Sequence, residues 1–122
     1  MDERTEFTKK VIKLITSIPE GKVATYGLIA RLAGKPQGSR GVGWILHSSS
    51  NKHELPWQRV LKTSGKISFP EMTEPYFVQK RLLELEGVVV TNGKVNLKEY
   101  LWEKKIPKEN NRYKSNTLKK TK

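Results

Sequence analysis

Apolar residues recur at helical spacing in the first third of the chain. The first stripe predicts an amphipathic helix over about residues 3–17, with acidic residues at its positive end. The second stripe predicts a helix that starts after Thr25, a residue suited to an N-cap, and ends at Gly34. The two stripes consist of Phe7, Val11, Leu14, Ile15 and Ile18, and then of Leu28, Ile29, Leu32 and Ala33.

A third helix is predicted over about residues 38–48, after a short loop. Val42, Ile45 and Leu46 form its inward face. Two helices joined by so short a connection are typical of a helix-turn-helix. The polar stretch that follows this helix, as far as the Pro56-Trp57 turn, has no periodicity and is predicted to be a loop.

Two short hairpins and a fourth helix are predicted in the second half. Val60-Leu61 and Ile67 flank the first turn, and Asn92-Gly93, a pair that suits a type I′ turn, forms the second. Between the hairpins, residues 76–86 regain helical spacing before Gly87. The apolar residues of this fourth helix are Val78, Leu82 and Leu85. The pattern predicts one small α+β domain over residues 1–102, winged-helix-like, with a helix-turn-helix and short β-hairpins.

The charge of the chain is strongly positive. Its 122 residues carry 24 Lys and Arg against 12 Asp and Glu, a net charge of +12. Residues 103–122 hold eight of the cations and two of the acids, and few apolar residues, so we expect a disordered basic tail. This tail either aids solubility or binds phosphates without specificity, and the sequence leaves both open. Such a charge favours an anionic partner, with nucleic acid first.

Composition excludes several classes of protein. There is no cysteine, and therefore no disulfide, no cysteine-based zinc site and no thiolate nucleophile. His47 and His53 are isolated, so neither a metal nor a cofactor is predicted. No apolar run is long enough to span a bilayer, and the first residues lack the apolar stretch of a signal peptide. We expect a soluble monomer, cytoplasmic and nucleoid-associated, or nuclear in a eukaryote.

The third helix has a composition that helices normally avoid. Gly41 and Gly43 in its interior each cost about 1 kcal/mol relative to alanine. Glycine permits close approach of another surface, either a packed helix or a phosphate backbone. Arg40, Gly43, Trp44 and His47 share the face opposite the apolar stripe, which suits a nucleic-acid groove. Close helix packing beside one solvated arginine is the alternative.

Several ordered motifs resemble the DNA-binding domain of O6-alkylguanine-DNA alkyltransferases. Their order and spacing match this family over about residues 5–102. The motifs are VATYGLIARLAG at 23–34, GSRGVGWIL at 38–46, LPWQRV at 55–60, LLELEGV at 82–88 and VNLKEYLW at 95–102.

The resemblance breaks at the residues that repair requires. Alkyltransferases carry Pro-Cys-His-Arg-Val, in which the cysteine accepts the alkyl group and the histidine, oriented by a glutamate, activates it. Here Trp57 offers no nucleophile and Gln58 cannot act as a general base, so no catalytic residue is predicted. Glu86 matches the orienting acid but has no histidine to orient. This pattern resembles the alkyltransferase-like proteins, which bind alkylated guanine without repairing it.

The resemblance implies how DNA would be bound. The third helix would enter the minor groove of duplex DNA, and Arg40 would fill the space left by a flipped O6-alkylguanine. The other implied DNA contacts are Tyr26, Gly38, Ser39, Gly41 and Gly43. The implied base pocket consists of Tyr26, Leu46, Pro56, Trp57 and Val60, with the carbonyls of Trp57 and Val60 against the guanine edge. The loop from Ser68 to Met72 occupies the lid position.

The predicted function is therefore a non-enzymatic sensor that flags O6-alkylguanine for nucleotide-excision repair proteins. A winged-helix, sequence-specific transcription regulator is the alternative, and an alkyl-removing or base-releasing enzyme is a third possibility. Individual residues also have simpler interpretations: Tyr26 as an ordinary aromatic at a helix start, and Trp57 as a core tryptophan. Arg59 is predicted to brace its loop through backbone carbonyls or Glu86.

Overall fold

A computed structural model describes residues 5–103, without the side chains of residues 50 and 51. Apart from Glu103, the predicted basic tail lies outside the described residues. The described chain has the predicted α+β fold. Its elements are α1 (Glu6–Ser17), β1 (Ala24–Thr25), α2 (Tyr26–Leu32), α3 (Ser39–His53), β2 (Val60–Leu61), α4 (Glu74–Leu85), β3 (Val90–Thr91), β4 (Lys94–Val95) and α5 (Leu97–Tyr100), with a 3₁₀ turn at Trp57–Arg59 before β2.

The first two helices begin at side-chain caps. Thr5 Oγ1 accepts a hydrogen bond from Thr8 N at 3.2 Å at the start of α1. Thr25 Oγ1 accepts one from Leu28 N at 3.1 Å at the start of α2, as predicted. Gly34 follows α2 with a φ of +94°, a conformation that glycine adopts without strain. The helix-turn-helix formed by α2 and α3 therefore starts and turns where the sequence indicates.

Helix α3 continues to His53, so the prediction of a loop over residues 49–53 is wrong. Ser49 is 1% exposed and extends the inward face of Val42, Ile45 and Leu46, although serine carries no apolar signal. The helix ends beside Glu54, which adopts a φ of +53° that is more often found in glycine.

The first hairpin forms its turn but not the predicted strand pair. Lys62 N donates to the Lys66 carbonyl at 3.0 Å and closes the turn. β2, however, pairs in parallel with β1, Ala24 lying opposite Val60 and Thr25 opposite Leu61. The returning arm joins the second hairpin instead, through Ile67 N and the Gly93 carbonyl at 2.9 Å.

The second hairpin forms as predicted. β3 and β4 pair antiparallel, and the turn between them places Asn92 at a φ of +53° and Gly93 at +75°. Positive φ at both central residues is the requirement of a type I′ turn.

Helix α4 buries a different face from the predicted one. Tyr76, Gln79 and Leu83 are buried, whereas Val78 is 40% and Leu85 68% exposed. The fully buried Gln79 accounts for the error, because a polar residue occupies the centre of the inward face. No helix within residues 5–103 is long and apolar enough to cross a membrane.

Two apolar clusters meet at the β1–β2 pair. The first lies among α1, α2 and α3 and includes Val60, and the second lies under α4 and the second hairpin and includes Leu61. Both residues have no exposed surface. The two strands therefore join the helix-turn-helix half of the domain to the α4 half.

The packing of α1 against the start of α3 requires glycine at one of two positions there. A Cβ at Gly38 would lie 3.0 Å from the Lys35 carbonyl oxygen and 3.1 Å from Phe7 Cζ. A Cβ at Gly41 would lie 3.4 Å from Phe7 Cε2, an ordinary contact. Close approach to Phe7 of α1 therefore requires glycine at position 38 far more strictly than at position 41.

Two alanine substitutions should consequently change stability in opposite directions. We expect Gly41→Ala to raise the free energy of unfolding by up to about 1 kcal/mol, through helix propensity. Gly38→Ala should lower it by about 1–3 kcal/mol, because the Lys35 backbone cannot yield as a flexible side chain would. Urea unfolding of both variants beside the parent measures the difference. Equal effects of the two substitutions would contradict this account of the α1–α3 contact.

Candidate nucleic-acid interface

Tyr26 is a half-buried residue of the helix-turn-helix that lines two depressions of the surface. It is the first residue of α2, fixed by the Thr25 cap, and its ring lies beside α3, where a Cβ on Gly43 would be 3.9 Å from Tyr26 Cε1. It lines two adjoining depressions, which we call the cationic groove and the inner pocket. Tyr26 is thus more than an aromatic residue at a helix start.

The cationic groove runs along the start of α3 and the turn after β2, and has a volume of about 690 Å³. Its lining residues are Tyr26, Ser39, Arg40, Gly43, Lys62, Thr63, Ser64 and Lys66. Every charged residue in that lining is a cation. Arg40 is exposed in the first turn of α3, where the helix dipole adds further positive potential. The groove can therefore bind a phosphate backbone.

Lys62 and Lys66 are absent from the predicted site. They flank the turn over residues 62–66, and a helix-centred interpretation of the sequence overlooks them. Their positions on the two arms of a tight turn were the available signal, because such arms project side chains side by side.

The inner pocket adjoins the groove and shares Tyr26 and Gly43 with it. Its volume is about 320 Å³, and it is lined by Tyr26, Gly43, Leu46, His47, Trp57, Ser68, Phe69 and Pro75. Tyr26, Leu46 and Trp57 come from the predicted base pocket. Ser68 and Phe69 belong to the predicted lid, so the lid does contribute to the pocket.

Trp57 has both of the roles that the sequence leaves open. It packs against the first apolar cluster, and it also forms a wall of the inner pocket. Its ring meets Phe69 edge to face, with the centroids 6.0 Å apart and an interplanar angle of 80°.

Two predicted pocket residues lie elsewhere. Pro56 is not among the residues that line the inner pocket, and Val60 is fully buried. The Val60 carbonyl accepts hydrogen bonds from Ser68 Oγ at 2.9 Å and from Gln79 Nε2 at 3.1 Å. Both of its lone pairs are thus engaged within the protein, so the expectation that this carbonyl meets a guanine edge is not supported.

The predicted glycines have different surroundings. Gly43 lines both depressions, whereas Gly38 and Gly41 direct their Cα–H toward Phe7 of α1. Close helix packing, the alternative noted for this helix, explains Gly38, and the open surface of the groove accounts for Gly43.

Trp44, His47 and His53 of α3 differ in their positions relative to the groove and the pocket. Trp44 is 51% exposed and is not among the residues that line the groove or the inner pocket. His47 lines the inner pocket, and His53 lies at the end of the helix. Within residues 5–103 no group of three or more His, Cys, Asp or Glu side chains is placed to hold a metal ion.

Glu86 anchors the turn that carries Trp57. Its carboxylate accepts hydrogen bonds from Arg59 Nε at 3.0 Å and Nη2 at 2.9 Å, from Gln58 Nε2 at 2.8 Å and from Gly21 N at 3.3 Å. Arg59 Nη1 donates onward to the Ile18 carbonyl at 2.8 Å. The predicted bracing role of Arg59 is therefore confirmed, and Gln58 supplies the hydrogen bond to Glu86 that a histidine would have donated.

This set of donors fixes the charge state of Glu86. Burial alone raises the pKa of its carboxyl, but the hydrogen bonds from Arg59, Gln58 and Gly21, together with the Arg59 charge, hold the pKa below its ordinary value. Since the lowered pKa belongs to the folded state, Glu86 stabilises the fold above the unfolded-state pKa of about 4.3, and this contribution is lost as the pH falls through the folded-state value.

We expect Glu86→Gln to lower the free energy of unfolding at pH 7 by about 1–3 kcal/mol, because it leaves Arg59 without its carboxylate. The difference in the free energy of unfolding between the variant and the parent should decrease as the pH falls toward 3. Urea unfolding across this pH range measures it. Glu84→Gln, which removes an exposed ion pair with Lys80, is the control and should cost about 0.5 kcal/mol or less. If this difference in the free energy of unfolding were independent of pH, the charge state assigned to Glu86 would be contradicted.

Comparisons with known proteins identify relatives of this chain. A DNA base-flipping protein of Escherichia coli is 37% identical over 105 residues, which cover 84% of this chain and 78% of that protein. Alkyltransferase-like protein 1 of Schizosaccharomyces pombe is 39% identical over 102 residues, or 80% and 94% of the two chains. The crystal structure of that Schizosaccharomyces pombe protein with DNA containing O6-carboxymethylguanine matches with a TM-score of 0.73, at 38% identity, over 81% of this chain and 96% of that one.

The family match covers the helix-turn-helix, the Trp57 turn and α4. Residues 6–88 match the family described as the 6-O-methylguanine DNA methyltransferase DNA binding domain. The chain therefore belongs to this family, and within it to the alkyltransferase-like proteins.

Proposed function

We propose that the protein binds duplex DNA containing O6-alkylguanine and holds the flipped base in the inner pocket without removing its alkyl group. The observation that carries this proposal is the position of Trp57. In the motif LPWQRV it takes the place of the cysteine that accepts the alkyl group in the alkyltransferases this chain resembles. Its side chain lines a pocket that adjoins the cationic groove.

The groove and the pocket have separate tasks in this proposal. With α3 in the minor groove, Lys62 and Lys66, which line the cationic groove, neutralise backbone phosphates. Tyr26, shared by groove and pocket, stands at the point where a base passes from one to the other. Arg40 then occupies the vacated place in the base stack. Flipping costs a few kcal/mol, and less for a weakened base pair such as O6-alkylguanine opposite cytosine.

The chemistry of residues 57 and 58 supports binding without repair. The indole of Trp57 has only an N–H donor and cannot accept an alkyl group as a thiolate does. The Gln58 amide cannot take up a proton, and its Nε2 is already bonded to Glu86 at 2.8 Å. The pair that an alkyltransferase uses for transfer is thus replaced by an apolar wall and a structural hydrogen bond.

The names of the relatives support the same proposal. One is described as a DNA base-flipping protein, and another was crystallised with DNA that contains O6-carboxymethylguanine. We further propose that this protein acts as a monomer, cytoplasmic and nucleoid-associated or nuclear, and flags the lesion for nucleotide-excision repair proteins.

Lesion binding is tested by titrating matched duplexes, with and without one O6-methylguanine, at fixed salt. The lesion duplex should bind more tightly. Arg40→Ala should reduce this preference by about tenfold, equivalent to ~1.4 kcal/mol, because the flipped state loses its filler. Lys62→Ala is the control: it should weaken both duplexes equally and reduce the salt slope by about 0.9.

Equal affinities for the two duplexes would overturn the proposal, and a preference for one undamaged sequence would favour a transcription regulator instead. If Arg40→Ala instead weakened both duplexes equally, as expected for Lys62→Ala, lesion binding would stand, but Arg40 would not fill the space left by the flipped base.

Retention of the alkyl group is tested with a duplex that carries a radiolabelled O6-methyl group. After incubation with excess protein, all of the label should remain in the DNA, because Trp57 cannot accept it. An active alkyltransferase under the same conditions provides the positive control. Label on the protein, or release of the modified base, would show an enzyme.

A further inference from the structure

Two lysines from different hairpins lie side by side at the edge of the cationic groove. The chain that returns from the turn over residues 62–66 runs antiparallel to β4, and Lys66 lies directly opposite Lys94 there. The backbone hydrogen bonds of this bridge, each 2.9 Å long, join the residues on either side of the two lysines and not the lysines themselves. Lys66 and Lys94 therefore form a non-hydrogen-bonded pair, the arrangement in which opposite side chains lie closest together.

Both lysine side chains lie on the exposed face of this small sheet. On its other side β4 pairs with β3, where Thr91 lies opposite Lys94. Residues that lie opposite each other project to the same face, so Thr91, Lys94 and Lys66 form one row across the sheet. All three residues of the row are exposed, whereas Val95, the next residue of β4, is buried, as the alternation of a strand requires.

The lysine pair does not stabilise the fold. Like charges that lie directly opposite each other destabilise a sheet, and within residues 5–103 no carboxylate lies at ion-pair distance from either lysine. Lysine often protects the free edge of a sheet from pairing with another chain. That role does not explain Lys94, because β4 is paired on both sides. An anion beside the pair, in contrast, would be attracted by both ammonium groups.

The pair also lies where the cationic groove meets a further depression of the surface. This depression, which we call the hairpin depression, has a volume of about 610 Å³ and lies along β4 and α5. Ser64 lines both the groove and the hairpin depression, Lys66 lines the groove, and Lys94 lines the hairpin depression. The other charged residues that line the hairpin depression are Lys98 and Glu99, so its net charge is positive. The positive surface therefore continues from the groove across the second hairpin.

We propose that Lys94, side by side with Lys66, binds a backbone phosphate of duplex DNA beyond the stretch that the cationic groove holds. This inference rests on the part of the proposed function that places duplex DNA in the groove. Each DNA strand carries a negative charge about every 3.4 Å along the helix axis, so a duplex in the groove presents further phosphates past its end. A phosphate contact carries no base information, so Lys94 strengthens the binding of damaged and undamaged duplexes alike.

The test titrates matched duplexes, with and without one O6-methylguanine, at several salt concentrations. Lys94→Met, which removes the charge and keeps most of the side-chain length, should weaken both duplexes by the same factor and reduce the salt slope by about 0.9. Lys94→Arg, which keeps the charge, should retain the slope of the parent. Lys13→Met is the matched control: Lys13 is exposed on α1, lines neither the groove nor the hairpin depression, and its replacement should leave the slope unchanged.

Urea unfolding provides a measurement that distinguishes phosphate binding from a structural role. Because Lys94→Met relieves the repulsion from Lys66, its midpoint of unfolding should be no lower than that of the parent. Lys94→Glu places an opposite charge beside Lys66, so it should raise the midpoint and weaken DNA binding most. If both variants lost DNA binding and also had lower midpoints, damage to the fold would explain the loss, and the inference would be overturned.

The outcomes separate this inference from the proposed function. If the parent binds neither duplex, both fail. If the parent binds the two duplexes equally, lesion binding fails, but a reduced slope of Lys94→Met would still support this inference. If the parent prefers the lesion and Lys94→Met keeps the parent slope, only this inference is overturned. Inorganic phosphate that stabilises the parent more than Lys94→Met, with equal DNA binding by both, would indicate a site for a free anion and would likewise overturn it.

Discussion

A single carboxylate ties the turn that carries Trp57, a wall of the inner pocket, to the end of α4 and to the turn after α1. Glu86, at the end of α4, receives hydrogen bonds from Arg59 and Gln58 of the 3₁₀ turn and from Gly21 of the turn after α1. Arg59 extends the network to the Ile18 carbonyl. Because the network is nearly buried, with side-chain exposures of 17% for Arg59 and 10% for Glu86, a missing partner would leave a costly unpaired charge. The position of Trp57 depends on this constraint.

The same network explains how the chain can lack a general base and keep its architecture. In the alkyltransferases that this sequence resembles, the acid at this position orients a histidine. Here Gln58 Nε2 donates to Glu86 at 2.8 Å, so the carboxylate keeps a donor at that position. The structural task of this acid therefore does not require a histidine at position 58.

The sequence predicted the elements whose signals are local. Caps such as Thr25, the Asn92-Gly93 turn and the apolar stripe of α3 depend on neighbouring residues, and each was confirmed. The errors arise where tertiary packing decides burial. Ser49 and Gln79 are buried in the core, although polar residues give no apolar signal in the sequence. For this reason the predicted α3 ended too early at residue 48, and the predicted inward face of α4 was wrong.

Some residues of the candidate site could be predicted from sequence motifs, and others could not. Tyr26, Arg40, Leu46 and Trp57 lie in motifs, and the structure places them around the groove and the pocket. Lys62 and Lys66 lie on the two arms of the turn that the sequence predicts after β2, but the local pattern does not show that this turn faces the start of α3. Val60 was assigned to the pocket by its motif, but its carbonyl is already saturated by Ser68 and Gln79.

The meeting of two apolar clusters at β1 and β2 has a consequence for the energetics of binding. The walls of the inner pocket belong to different clusters, Trp57 to the first and Phe69 to the second. A guest in the inner pocket that contacts both side chains becomes a non-covalent cross-link between the halves of the domain. Because such a guest binds only the folded domain, in which the pocket is complete, its binding raises the free energy of unfolding. Binding in the inner pocket and folding of the domain are then coupled equilibria.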